Sequence, residues 1–157
     1  LSSLFLKYNL SQFRTSSISS LFQTAININE LLYEDLPEET FSDRLKKAKL
    51  ITGLTQKELS EKTGVSLSTI NELEAGYRDN IQRDTLLKLL KVLDKNILCD
   101  DYLLFILNQE NNIRKLIFKY GTTNLCKIIN CHHSQIYRWR DFKYQVSRKC
   151  YEKLKLL

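Results

Sequence analysis

From residue 41 onward, apolar and polar positions alternate with the period of a helix. Phe41, Leu45, Ala48 and Ile51 recur at three- and four-residue spacing, which places them on one helix face. Ser42 stands where an N-cap is needed and Gly53 where the helix must stop. Thr55 caps a second helix, with Glu58 three residues on to complete a capping box. Leu59 and Thr63 form its inner face. Gly64 ends it, because a left-handed terminal position favours a residue without Cβ. Ser66 caps a third helix whose Ile70 and Leu73 point inward, while Leu67, Ser68, Asn71 and Glu72 point out; Gly76 terminates it. A fourth helix opens at Gln82 or Asp84 and carries the apolar stripe Leu86, Leu89, Leu90 and Leu93. The apolar stretch over residues 97–109, containing DYLLFIL, predicts a linking helix.

The second half repeats the first. Under a shift of 66 positions Leu50 meets Leu116, Ile51 meets Ile117, Leu59 meets Leu125 and Val65 meets Cys131. Ser68 meets Ser134, Ile70 meets Ile136 and Leu73 meets Trp139. After a one-residue gap, Ile81 meets Val146 and Leu89 meets Leu154. Apolar positions coincide while surface positions differ, which is the trace a shared fold leaves. One Pro and four Gly are too few for the many turns of a β-sandwich or barrel. The expected fold is therefore all-α: a helical bundle of four or five helices, then a second small helical unit. The boundaries are a poorly specified arm over residues 1–38, a first domain over 39–98 and a second over 99–157. In the arm, segments 4–10 and 21–32 could be helical, and residues 34–39 read as an acidic boundary.

Charge adds a partner. Net charge is +6, and it rises along the chain from −3 over residues 1–40 to +3 over 41–98 and +6 over 99–157. A basic folded part suits a polyanion, nucleic acid first, with a Lys-rich solvated surface as the alternative. Cys99, Cys126, Cys131 and Cys150 fit no common zinc spacing; Cys126, Cys131, His132 and His133 make a poor ligand set, and buried reduced thiols are the expectation. No apolar run reaches the roughly 20 residues of a membrane helix. No signal peptide is recognised, so a cytoplasmic location is expected. The chain has no Met, even at position 1. A fragment, or a reading frame opened at a non-ATG codon, is expected, with part of residues 1–35 upstream sequence.

The run from Leu54 to Gly76, LTQKELSEKTGVSLSTINELEAG, resembles the Cro/C1-type (Xre) helix-turn-helix family of phage repressors and bacterial transcription regulators. The resemblance covers residues 41–94, with a degenerate second version at residues 111–157 that lacks Gly at Asn130 and Phe142 and Glu at Arg140. It implies a phage-repressor-like bundle whose third helix lies in the DNA major groove while the second spans the backbone. Gln56 would then hydrogen-bond a phosphate, and Ser66 and Thr69 would do the same. Ser68 and Asn71 can bond base edges, Leu67 can touch a thymine methyl, and Glu72 can accept from a cytosine amino group. Tyr77 and Arg78 would grip the backbone. The family also implies an inward pair of Lys49 with Glu74, with Lys where Arg is usual and at most a modest gain in stability. In the second unit the corresponding face is His132, His133, Ser134, Gln135, Tyr137 and Arg138, followed by Arg140 and Lys143, with Trp139 inward. A second DNA-reading module and a dimerisation or effector surface both remain open for it.

The expected function is that of a sequence-specific DNA-binding regulator acting on double-stranded DNA. It would act either as a homodimer or with both units reading half-sites within one monomer. The rival is a protein-interaction module, such as an antitoxin or anti-repressor, contacting its partner through residues 102–107 and the arm. No Gly-rich phosphate loop or acid–base constellation is present, so neither an enzyme nor a cofactor is expected.

Overall fold

The computed structural model describes residues 30–78 and 80–157; the segments 4–10 and most of 21–32 lie outside the described residues. All regular structure among the described residues is helical. The first unit comprises α1 (Phe41–Thr52), α2 (Gln56–Thr63), α3 (Leu67–Glu74), α4 (Arg83–Leu89) and the short α5 (Lys95–Leu98). Then come α6 (Asp101–Leu107), α7 (Gln109–Tyr120), α8 (Thr122–Ile129), α9 (His133–Arg140) and α10 (Arg148–Lys155). None of these is long and apolar enough to cross a membrane.

Local signals explain most boundaries. Thr40, not Ser42, caps α1, and a capping box with Asp43 closes its first turn. Ser42 lies inside the helix, and its hydroxyl donates instead to the Glu74 carbonyl. Thr55 and Glu58 form the expected capping box of α2. Gly53 and Gly64 sit at φ 67° and 70°, the left-handed positions that end α1 and α2. Ser66 caps α3 by accepting from Thr69 N.

The expected linking helix is broken. Asp94 caps α5, Asp100 caps α6 through Leu103 N at 2.9 Å, and Asn108 separates α6 from α7. Two acidic caps thus cut the apolar stretch into the short helices α5 and α6, because their side-chain acceptors take up backbone N–H groups, and Asn108, whose side chain makes no cap bond, parts α6 from α7. Tyr102, Leu103 and Ile106 are buried, Phe105 and Leu107 are half-buried and Leu104 is exposed, so one face of residues 102–107 is taken up by interior packing.

Packing repeats between the units. In the first, α1 packs on α3, α2 on α3, and α2 on α4; in the second, α7 packs on α9, α8 on α9, and α8 on α10. The helix-turn-helix portions obey the shift of 66, since α2 and α3 map onto α8 and α9 residue for residue. The first helices do not. Leu45 and Ala48 correspond to Ile113 and Leu116, a shift of 68, so Leu50 does not pair with Leu116 nor Ile51 with Ile117. The reason is the connection: Gly53, Leu54 and Thr55 join α1 to α2, but Gly121 alone joins α7 to α8. Helix α6 packs on both α4 and α7, and the buried apolar side chains form one connected core from Phe41 to Leu154.

The acidic segment before α1 is also fastened down. Lys47 Nζ donates to Glu34 O at 2.9 Å and pairs with Glu38 Oε1 at 2.6 Å. Arg44 donates to Glu38 O, Glu39 O and Leu98 O and pairs with Asp100 at 3.1 Å. These two buried cations, which periodicity alone does not place in the core, hold the entry segment and α5 against α1.

Candidate functional site

The turn between α2 and α3 is built from local bonds. Ser60 Oγ donates to Val65 O at 2.7 Å, and Thr63 Oγ1 donates to Leu59 O at 2.6 Å while accepting from Val65 N. Val65, Ile70 and Leu73 are buried and anchor α3 from behind. A buried carboxylate then locks three helices together. Glu74 sits 7% exposed with Oε1 2.9 Å and Oε2 3.0 Å from Lys49 Nζ, and Gln56 Nε2 donates to Oε2 at 2.6 Å. The Lys49–Glu74 pair is therefore an interior tie between α1 and α3, inward as expected, with more at stake than the modest gain expected of it. Removing one member strands the other in a poor solvent.

That arrangement leaves a short polar face on α3. Leu67, Ser68 and Asn71 are exposed. Glu72 is not a free acceptor: Ser68 Oγ donates to its Oε1 at 3.3 Å, and Arg78 Nε pairs with its Oε2 at 2.6 Å. Arg78 is folded back onto α3, whereas Tyr77 stands 84% exposed. Ser66 and Thr69 bond each other through their hydroxyls at 2.8 Å. Gln56 is half-buried, with its amide nitrogen occupied by Glu74. Ser68, Glu72 and Arg78 are thus linked along α3 and Ser66 and Thr69 at its start, whereas the Gln56 amide is engaged by the buried Glu74.

In the second unit the same backbone carries a different surface. Asn130 ends α8 at φ 60° and Phe142 follows α9 at φ 48°, 66 residues after Gly64 and Gly76. The stop after the third helix is bonded alike in both: Tyr77 N to Glu72 O at 3.0 Å and Lys143 N to Arg138 O at 2.8 Å. His132 caps α9, its Nδ1 accepting from Ser134 N at 3.2 Å. His133, Ser134, Gln135, Tyr137, Arg138 and Lys143 are all exposed, and Trp139 is buried. Arg138 lies 5.6 Å from the Tyr144 ring centroid and Arg140 4.9 Å from that of Tyr137. A groove of about 360 Å³ runs between the start of α9 and the loop before α10, lined by His132, Gln135, Arg138, Tyr144 and Ser147 among others. Such cationic side chains laid beside aromatic rings suit phosphates and base faces.

The interior of this unit is held by Gln109, which is fully buried. Its Nε2 donates to Trp139 O and Tyr144 O at 2.9 Å each, and its Oε1 accepts from Val146 N at 2.8 Å. Sequence pattern alone did not single it out, although a shift of 68 places it opposite Phe41, a core position. The four cysteines are free thiols. Burial pushes Cys99 and Cys131 up to about 11, in Cys131 with help from neighbouring Cys126, so both stay protonated near neutrality. Among the described residues no group of three or more His, Cys, Asp or Glu could hold a metal ion.

Comparison with known proteins agrees with this geometry over the first unit. Residues 45–98 match a family model described as helix-turn-helix, a span four residues further along at each end than the motif suggested. No curated protein and no solved structure matches the chain.

Proposed function

Starting from a chain whose residues 45–98 form a helix-turn-helix domain of Cro/C1 type, we propose that it is a sequence-specific DNA-binding transcription regulator. The observation carrying this reading is the α3 face: Ser68 and Asn71 exposed beside Leu67, on a helix fixed from behind by Ile70, Leu73 and Glu74. Rigid backing matters because base readout needs side chains held in register with groove edges. Ser68 and Asn71 bond bases, Leu67 meets a thymine methyl, and Tyr77 stacks toward the sugar–phosphate backbone. The internal pairing of Glu72 with Arg78 leaves α3 close to neutral, so α3 supplies discrimination more than attraction. The basic face of α9 supplies attraction through Arg138 and Lys143.

The rival reading, a protein-interaction module working through residues 102–107 and the arm, has less to stand on, since Tyr102, Leu103 and Ile106 are buried. Gel shifts against randomised duplexes test the proposal. Sequence-selective enrichment is expected, with affinity falling steeply as salt rises because phosphate contacts release counterions. Asn71→Ala should change base preference by about 1–3 kcal/mol at one position. Arg138→Ala and Lys143→Ala should weaken all sequences alike and each lower the salt slope by about 1. Absence of any selective enrichment at low salt would refute the proposal.

A further inference from the structure

Equivalent parts of the two units touch each other. The loop after α3 and the loop after α9 occupy the same place in the repeat. Gln145, in the second loop, donates from Nε2 to Ile81 O at 3.1 Å and accepts at Oε1 from Arg83 N at 3.2 Å. Ile81 and Val146, counterparts at a shift of 65, are both buried. The two loops that follow the recognition helices are thus held side by side, although the bonds are not reciprocal: Val146 O accepts from Tyr102 and not from the first loop.

One arginine reinforces the contact, and its counterpart acts within the second unit. Arg83 begins α4 and Arg148 begins α10, again 65 residues apart. The Arg83 guanidinium lies 4.3 Å from the Phe142 ring centroid, pairs with Glu110 at 2.8 Å and donates to Leu107 O at 2.8 Å. The Arg148 guanidinium lies 4.4 Å from the Tyr102 ring centroid and pairs with Asp100 at 2.9 Å. Each is thus stacked on an aromatic ring and paired with a carboxylate, a combination that fixes a planar guanidinium in orientation as well as position. Arg83 reaches from the first unit to the very residue that stops α9. Arg148 works within residues 99–157, holding α10 against Asp100, the cap of α6, and Tyr102. Tyr102 adds a hydrogen bond from its hydroxyl to Val146 O at 2.8 Å.

We infer that one chain binds duplex DNA as an internal pseudo-dimer, laying α3 and α9 on two unlike half-sites at a single spacing set by the Arg83–Phe142 and Gln145–Ile81 contacts. This rests on the DNA-binding reading above and adds the form of the target. Because α3 presents Leu67, Ser68 and Asn71 while α9 presents His133, Gln135 and Arg138, the two halves differ and the site is not a palindrome. The half-sites of helix-turn-helix pairs fall about one helical turn apart, and a separation of roughly 10 base pairs is expected here too.

Selection from randomised duplexes, with chains per duplex counted by mass photometry, tests the inference. The expected result is a two-part, non-palindromic motif at one spacing, bound by one chain. Inserting five base pairs between the halves moves one to the opposite face of the duplex. Affinity should then fall about 100-fold or more, the gain that a second contact within one complex provides. Asn71→Ala should alter preference in one half only and Gln135→Ala in the other only. Gln145→Ala and Arg83→Ala should shrink the insertion penalty to about tenfold or less while leaving each half's base preference intact. Gln145→Ala is the milder of the two and serves if Arg83→Ala unfolds. An unchanged penalty in Gln145→Ala would remove the loop contact as the spacer. A palindrome bound by two chains, or a lone half-site indifferent to the insertion, would overturn the inference and leave DNA binding standing. No selective enrichment at all would overturn both.

Discussion

The two helix-turn-helix portions share a backbone and differ in how they hold it. Residues 56–77 use glycine at both left-handed positions and a buried carboxylate, Glu74, to tie α1, α2 and α3. Residues 122–143 use Asn130 and Phe142 at those positions and a neutral buried amide, Gln109, to tie α7 to the end of α9. Neither charge nor glycine is therefore a requirement of the geometry. What the geometry requires is that the orphan groups at the end of the third helix be bonded and that its inner face be filled. Once those conditions are met, the outer face is free to be near neutral in α3 and basic in α9.

The largest expected effect tests whether the two portions are one cooperative body. Glu74→Ala leaves Lys49 and Gln56 without their acceptor and should cost about 3 kcal/mol, the low end for a broken buried pair because Lys49 keeps some exposure to water. Gln109→Ala leaves the buried Val146 N–H unpaired and should cost about 1–3 kcal/mol. Trp139 is the only Trp in the chain and lies in the second unit. If the continuous core couples the units, Glu74→Ala will shift the urea midpoint read by Trp139 fluorescence as far as the midpoint read by circular dichroism. A fluorescence midpoint that stays put would split the molecule into independent halves.

A smaller effect separates the two turns. Gly64→Ala meets no atom within 4 Å, so its cost is the left-handed backbone alone, about 1 kcal/mol. Asn130→Gly should move the other way, stabilising by a fraction of that, since Asn tolerates the left-handed region only in part. Equal and opposite shifts in thermal midpoint are not expected; the first should exceed the second. If Asn130→Gly destabilises, the side chain of Asn130 does more than fill a turn.

The smallest effect concerns acid. The Thr55 backbone and side-chain bonds hold the Glu58 carboxyl below its ordinary 4.5. A carboxyl whose folded value is lowered contributes its stability above the ordinary value and loses it as pH falls through the lowered one. The start of α8 has Gly121 at the equivalent cap and no side-chain cap bond. Amide hydrogen exchange below pH 4.5 should therefore quicken selectively at the start of α2, relative to Glu58→Gln, in which the contrast with α8 should vanish.

Much of the first unit was legible because its signals are local. Thr55 with Glu58, Gly64 and Ser66 each satisfy backbone groups within four residues, and such bonds can be read from spacing alone. The cap at Thr40 was missed in favour of Ser42 because both are good caps, and only the long-range bond from Ser42 to the Glu74 carbonyl decides between them. The first-helix register was misplaced for a similar reason: a two-residue shortening before α8 is invisible when alignment follows the better-matched turn. Arg44, Lys47 and Gln109 look like surface residues in any periodicity. Their burial is set by carbonyls and carboxylates that come from 5 to 56 residues away. Among the candidate contacts, exposure of α3 and α9 followed from pattern. The internal engagement of Gln56 by Glu74 and of Glu72 by Arg78 did not, since each depends on a side chain from another turn or helix.

A regulator assembled from two identical chains accepts every substitution twice, once in each copy, and so its two halves change in lockstep. In the proposed mode of binding, with helix-turn-helix portions repeated 66 residues apart in one chain, that constraint is absent. A mutation at Asn71 leaves Tyr137 as it was, and one at Arg138 leaves Glu72 untouched. Each helix face can drift under its own selection while the shared interior keeps the pair in place.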